Sequence, residues 1–249
     1  MNALILAAGL GTRLKPLTDT MPKALIPVND KPLLMHLMER LKMSGFDNVV
    51  INVHHFAKQI IDYIKQEKFF GINVTISDES DLLLDTGGAI KKAAGLFGDN
   101  KPFLVHNVDI FHNINLKELY RQYAYASDAT LLVSDRITSR YLLFDEDNRL
   151  VGWTNLNTGE VKSPFESVRM NPAAFNRFAF SGIHIFSQNL VHLMDKWEKR
   201  FSIIDFYLQA CQEYNIKGIN YPDLKLLDVG KLDSLEKAEI FLTNQTSIL

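Results

Sequence analysis

Two glycines, Gly9 and Gly11, run directly into Thr12 and Arg13, and Lys23 follows shortly in "LAAGLGTRLKPLTDTMPKALIPV". Glycines just behind an apolar strand let backbone N–H groups turn toward a ligand with no Cβ in the way. Oxygen-rich anions are what such a turn can hold. Arg13 offers a planar fork of donors matched to phosphate oxygens, and Lys23 adds a second positive charge. Pro16, Pro22 and Pro27 stiffen the segment, so less entropy is lost when it closes on a ligand. Two familiar phosphate motifs are absent. Leu14 stands where a dinucleotide fingerprint needs its third glycine, and no G-x-x-x-x-G-K-[ST] run occurs. Taken alone, a short Gly-x-Gly fits a purely structural turn equally well.

The elements that must position these groups can be read from hydrophobic spacing. Ala3–Ala7 is a short apolar strand. Leu34, Leu37 and Leu41 share one face of a helix over Pro32–Met43, and Gly45 is placed to end it. Strands follow at Asn48–Val53, in "GINVTIS" and at Phe103–Val108, with helices over Ala57–Gln66, Gly88–Phe97 and Lys117–Ala126. Strands alternating with amphipathic helices predict parallel pairing with helices on both faces. Ligands then bind at the carboxyl ends of the strands, where the loops gather. The glycine loop, the segment around Thr86–Gly88 and the segment ending at Asp109 all fall at such ends and converge on one crevice in this reading.

Beyond residue 126 the pattern changes. "DATLLVSD", "RYLLFDEDNRLVGW" and "FAFSGIHIF" read as strands, with "DEDN" as a hairpin turn. Helices return at Asn189–Glu198 and Ile203–Glu213, and a short strand through "LKLLDVG" leads to a last helix from Ser234. No Gly-, Ser- or Pro-rich linker divides the chain, so a single domain over 1–249 is expected. Within it a first part covers about 1–112, a substrate-facing part about 113–220, and a closing segment and helix 221–249.

Composition narrows the function. At 249 residues, with 47% hydrophobic and 22% charged residues, the chain is an ordinary globular protein. A net charge of −2 gives no electrostatic case for nucleic acid as a partner. No uninterrupted apolar run approaches the ~18 residues a membrane helix needs. The N-terminus lacks the basic flank and cleavage site of a signal peptide, so a cytoplasmic protein is expected. Cys211 is the only cysteine, which excludes an intrachain disulfide and a thiolate metal cluster; it reads as a buried apolar side chain. His54, His55, His106 and His112 match no standard zinc spacing. Oligomeric state stays open, a homo-oligomer included.

The full opening pattern, G-x-G-T-R-L-x-P-L-T followed by Pro22–Lys23, resembles the signature of the sugar-1-phosphate nucleotidyltransferases, which make NDP-sugars. The likeness continues in family order through "INVHHFAKQI", "DTGGAIKKA", "FLVHNVD", "FSGIHIF" and "LLDVGKLDSLEKAE". It is most similar to the N-acetylmuramate 1-phosphate uridylyltransferase group; mannose- and heptose-1-phosphate guanylyltransferases are nearly as similar. The resemblance implies an α/β, Rossmann-like fold, the nucleotide-diphospho-sugar transferase fold, with a mixed, mainly parallel sheet. It implies an NTP and a sugar 1-phosphate as substrates, most closely UTP with N-acetylmuramate 1-phosphate or a similar amino sugar. It also implies Mg²⁺, held by Asp109 and Asp228.

Site residues follow from the same likeness. Arg13, Lys23 and Asp109 are the expected catalytic groups. Ala8, Gly9, Gly11, Thr12, Arg13, Asn52, Thr86, Gly87 and Gly88 are expected at the nucleotide. Arg140, Lys162, Ser181 and Gly182 are expected at the sugar. Bland roles stand beside each: Asp109 as a turn or cap, Asp228 as a loop carboxylate, Asp85 as the cap of a glycine-rich helix entry, Arg140 and Lys162 as solvated cations. A metal-dependent glycosyltransferase would want Asp-x-Asp, but Ile110 and Phe111 follow Asp109. A non-catalytic nucleotide-binding relative is a further alternative; such proteins can lose the cationic and metal positions, whereas this chain has Arg13, Lys23, Asp109 and Asp228 together.

Overall fold

A computed structural model describes residues 1–246; positions 247–249 of the expected closing segment lie outside the described residues. The chain opens with β1 (Asn2–Leu6), then three 3-10 turns and a small hairpin of β2 (Pro27–Val28) and β3 (Lys31–Pro32). Next come α1 (Leu33–Met43), β4 (Asn48–Val53), α2 (Ala57–Gln66), β5 (Asn73–Asp78), α3 (Asp85–Ala94), β6 (Phe103–Asn107), β7 (Ile110–His112) and α4 (Leu116–Tyr123). The remainder holds β8 (Ala129–Ser134), β9 (Arg140–Phe144), β10 (Leu150–Asn155), β11 (Glu160–Lys162), α5 (Glu166–Met170) and β12 (Asn176–Phe186). Then follow α6 (Ile203–Ala210), β13 (Ile216–Asn220), β14 (Leu226–Asp228) and α7 (Asp233–Thr246).

β5, β4, β1 and β6 lie side by side in parallel register, and β12 joins β6 antiparallel. β8 and β13 extend that sheet from the other edge of β12. The result is the mixed, mainly parallel sheet expected. Side chains alternate across it. Ala3, Ile5, Val49, Ile51 and Leu104 face a core closed by α1, α2, α4 and α7, while Leu4, Val50, Phe103 and Val105 face one closed by α3 and α6. α1 owes its place to Leu33, Leu34, Leu37, Met38 and Leu41, which bury one stripe of the helix. Asn115 starts α4 by accepting a hydrogen bond from Glu118 N–H at 3.1 Å. Among the described residues no helix is long and apolar enough to cross a membrane. Cys211 is buried and pushed up to about 11 by that burial.

β12 changes partners along its length within one sheet. Asn176–Phe178 pair with β9, which begins the β9–β10–β11 antiparallel arm, whereas Ala179–Phe186 pair with β8. The register shifts between Phe180 and His184, around Gly182. Gly182 has φ +77°, and a Cβ there would lie 2.6 Å from Asn107 Nδ2, so both backbone and space demand glycine.

Several boundaries differ from expectation. α3 begins at Asp85 rather than Gly88 and ends at Ala94, because the segment before α6 packs onto its glycines and draws them into the first turn. Asp85 therefore does not cap the helix; its Oδ1 accepts from the adjacent Thr86 N–H at 2.6 Å. The stretch expected as a helix over Asn189–Glu198 is wound as 3-10 turns over Gln188–Lys196.

Candidate active site

The glycine loop, the end of β4, the segment after β5, the start of α3 and the turn after β6 meet at one cleft of about 480 Å³. Ala8, Gly9, Gly11, Thr12, Arg13, Lys23, Asn52, Thr86 and Asp109 all line it. Gly11 adopts φ +64° and is fastened from behind, its carbonyl accepting from Thr18 Oγ1 at 2.9 Å. The loop's first N–H groups are not free. Asn52 Oδ1 accepts from Ala7 N–H at 2.6 Å and from Ala8 N–H at 3.3 Å. Asn52 thus braces the loop, and the N–H groups beyond Ala8 are the ones left for a ligand.

Asp109 follows β6 in a tight turn into β7, and Asp228 ends β14. β7 and β14 pair antiparallel with Asp228 opposite Ile110, and Val229 N–H donates to Asp109 O at 2.8 Å. Two carboxylates more than a hundred positions apart in sequence are thereby made neighbours. Burial, and after it the nearby Asp109 charge, raises the Asp228 carboxyl above the ordinary carboxylate range. Lys23 is almost fully buried and pairs with Asp109 Oδ2. Arg13 arrives from the other side: a Cβ on Gly230 would sit 2.7 Å from both Arg13 Nη2 and Asp228 Oδ1.

The turn carrying Asp109 is stapled by histidines. His106 Nδ1 lies 2.7 Å from its neighbour's carbonyl at Asn107, so that nitrogen carries the proton. His106 Nε2 then accepts from His112 Nε2–H at 3.0 Å, and His112 Nδ1 accepts from Ile114 N–H at 3.1 Å. Burial holds both rings neutral, with His106 down to about 4 and His112 well below its usual range.

Thr86 faces the cleft, but Gly87 and Gly88 lie behind it. A Cβ on Gly87 would overlap the Phe201 ring, and one on Gly88 would run into the Lys199 carbonyl. Their bareness admits the segment 199–203, which is sewn on by Gly87 N–H to Phe201 O at 2.9 Å and Ile203 N–H to Thr86 Oγ1 at 2.9 Å. That segment delivers Arg200 to the cleft and Ser202 to a second hollow, which Ile204 and Asp205 of α6 also line.

This second hollow, about 330 Å³, is lined by Arg140 and Lys162 together with Arg136, Tyr141, Trp153 and Phe180. Lys162 Nζ lies 3.1 Å from Asp205 Oδ1 and 5.4 Å from the Trp153 ring centre. Ser181 and Gly182 line neither space. Ser181 Oγ donates to Leu132 O at 2.6 Å inside the sheet, and Gly182 backs onto Asn107, which does line the cleft.

Glu79, Asn107, Arg136 and Arg200 were not singled out from the sequence. Glu79 and Asn107 stand at strand ends, where the rule that located Asp109 would have found them. Arg136 and Arg200 carry no local motif.

A family model described as nucleotidyl transferase matches residues 2–245. The chain belongs to the nucleotidyl transferase family. The N-acetylmuramate alpha-1-phosphate uridylyltransferase of Caulobacter vibrioides is 42% identical over 109 residues, which are 43% of this chain and 45% of that protein. The mannose-1-phosphate guanyltransferase 2 of Candida glabrata is 31% identical over 201 residues, 78% of this chain and 52% of that protein. The chain spans about half the length of the curated relatives it matches. A UDP-glucose pyrophosphorylase solved with UDP-glucose superposes with a TM-score of 0.76 at 18% identity, covering 98% of both chains, which shows the nucleotide-diphospho-sugar transferase fold.

Proposed function

We propose that this protein transfers a nucleotidyl group from an NTP to a sugar 1-phosphate, releasing pyrophosphate. The observation that carries the reading is the pairing of β7 with β14, which puts Asp109 and Asp228 side by side next to Lys23, Arg13 and the glycine loop. In the reaction a phosphate oxygen of the sugar 1-phosphate bonds to the α-phosphorus as the bond from that phosphorus to the β-phosphate oxygen breaks. Two anions must be brought together while charge grows on the departing pyrophosphate. Positioning and neutralisation therefore do the work, and no protein nucleophile is needed. Arg13 and the loop N–H groups hold the β- and γ-phosphates. Lys23 stands between the two substrates.

The donor set fits Mg²⁺. Asp228 Oδ1 is buried with no hydrogen-bond partner among the described residues, and the carboxylate beside it is Asp109. Among the described residues no group of three or more His, Cys, Asp or Glu gathers into a metal site. One or two carboxylates are what Mg²⁺ takes when phosphates and water complete its shell. Asp109 and Asp228 would hold the ion, which would supply charge neutralisation at the phosphates.

For the substrates, we favour UTP with N-acetylmuramate 1-phosphate or a similar amino sugar. Support comes from the Caulobacter relative and from the second hollow, where Arg136, Arg140 and Lys162 face a single carboxylate, Asp205. That balance suits an acceptor carrying acidic groups. Guanylyl transfer to a mannose- or heptose-type sugar is the second reading, favoured by the longer match to the Candida enzyme. Crossing four NTPs with a panel of sugar 1-phosphates, with and without Mg²⁺, and measuring pyrophosphate tests both. Release peaking with UTP and the acidic amino sugar supports the first, and release peaking with GTP supports the second. No release from any pair overturns the reaction itself.

A further inference from the structure

Glu79, just beyond β5, is only 2% exposed, yet the reaction described above gives it no task. Both carboxylate oxygens are engaged. Oε1 accepts from Asn52 Nδ2 at 2.9 Å, and Oε2 accepts from Leu84 N–H at 3.1 Å. Its backbone is held as firmly: Glu79 N–H donates to Val53 O at 2.8 Å, and its carbonyl lies 2.6 Å from His54 Nδ1. Burial raises the carboxyl above its ordinary range. A carboxylate buried at such desolvation cost persists where its hydrogen bonds fix something.

What they fix is visible in the connections. Through Asn52, Glu79 reaches Ala7 and Ala8, the root of the glycine loop. Through Leu84 N–H it reaches the stretch that supplies Leu83, Asp85 and Thr86 to the lining of the same cleft, which Glu79 also lines. We infer that Glu79 is a positioning residue that sets the separation between the phosphate-holding loop and the base-side wall. The inference rests on the nucleotidyltransferase reading of the cleft. A nucleoside triphosphate must touch both ends together, whereas a bare chain of phosphates needs the loop alone. Asn52 keeps its bonds to Ala7 and Ala8 when Glu79 is lost, so removing Glu79 loosens the base side and leaves the phosphate side standing.

The test is calorimetric binding of two kinds of probe in the presence of Mg²⁺: UTP or GTP, whichever binds more tightly, and inorganic tripolyphosphate. Glu79→Ala is expected to weaken the nucleotide about ten-fold or more, the scale of losing hydrogen bonds to a charged group, and tripolyphosphate less than about two-fold. Asn52→Ala is expected to weaken both probes. Glu79→Gln keeps an acceptor for Asn52 but sets an NH2 against Leu84 N–H, so it falls between wild type and Glu79→Ala. It carries the test alone if the alanine variant does not fold. Unchanged nucleotide affinity in folded Glu79→Ala and Glu79→Gln overturns the inference, and so does an equal loss for both probes. If the wild type binds neither probe, the reading of the cleft falls first and takes this inference with it.

Discussion

At the scale of single residues, the site sets conformational stability against activity. Asp228 holds one oxygen buried and unpartnered beside a second carboxylate. An ionised group so placed lowers stability unless a cation arrives. Asp228→Asn removes the charge and keeps the shape. It should melt no lower than the wild type without Mg²⁺ while its turnover falls ~10²–10⁴-fold. Melting by calorimetry beside pyrophosphate release checks both halves; a variant that keeps near-normal turnover removes Asp228 from the mechanism. Arg13→Ala should keep its fold, since Arg13 is exposed in the cleft, and lose nucleotide turnover. Unfolding instead would make Arg13 structural. Arg13 and Lys23 could be singled out in the sequence because cations among glycines and prolines announce an anion. Arg200 could not, because it carries no local motif, and the strand end that marks Glu79 does not reveal the partners it holds.

Elements explain what spacing could and could not reveal. The parallel pairing of β1, β4, β5 and β6 followed from apolar runs alternating with amphipathic helices, and strand ends then located the cleft. Pairings between distant short strands leave no periodic trace, which is why β7 with β14, and β13 on the sheet edge, had to be seen. Gly87 and Gly88 show the same limit, since the sequence displays bare backbone but not the Lys199–Ser202 segment that fills it. Gly88→Ala should cost several kcal/mol, roughly 2–3, because the new methyl meets backbone and not a movable side chain. A denaturation midpoint equal to wild type would show that the segment yields. The β6–β7 histidine staple carries a pH signature. Unfolded His106 titrates near 6.5 but the folded ring near 4, so stability is complete above 6.5 and is lost as pH falls toward 4. Roughly 3 kcal/mol is at stake for this ring alone. Urea midpoints between pH 7 and 4 follow the loss, and His106→Asn should flatten it.

Over the whole molecule, a ligand in the cleft would link the two cores. The cleft draws its lining from β1, β4, β6, the start of α3 and the segment before α6, so a nucleotide seated there touches elements of both hydrophobic clusters. Mg²⁺ and NTP at about a hundred times the dissociation constant should stabilise the fold by ~2.7 kcal/mol, raising the melting temperature about 5–10 °C. Asp109→Ala with Asp228→Ala should abolish most of that rise, and an undiminished rise would put the nucleotide elsewhere.

β12 makes one further demand on any acceptor. Phe180 faces the hollow of the cations, while Gly182, two positions on, abuts Asn107 at the reaction cleft. Extended chain advances about 3.3 Å per residue, so the offset along this strand is roughly 7 Å at most and is set by covalent geometry. No linker or hinge intervenes to adjust it. If the acceptor of the proposed reaction reaches from the cleft into this hollow, the strand works as a ruler whose fixed step its two ends would have to match.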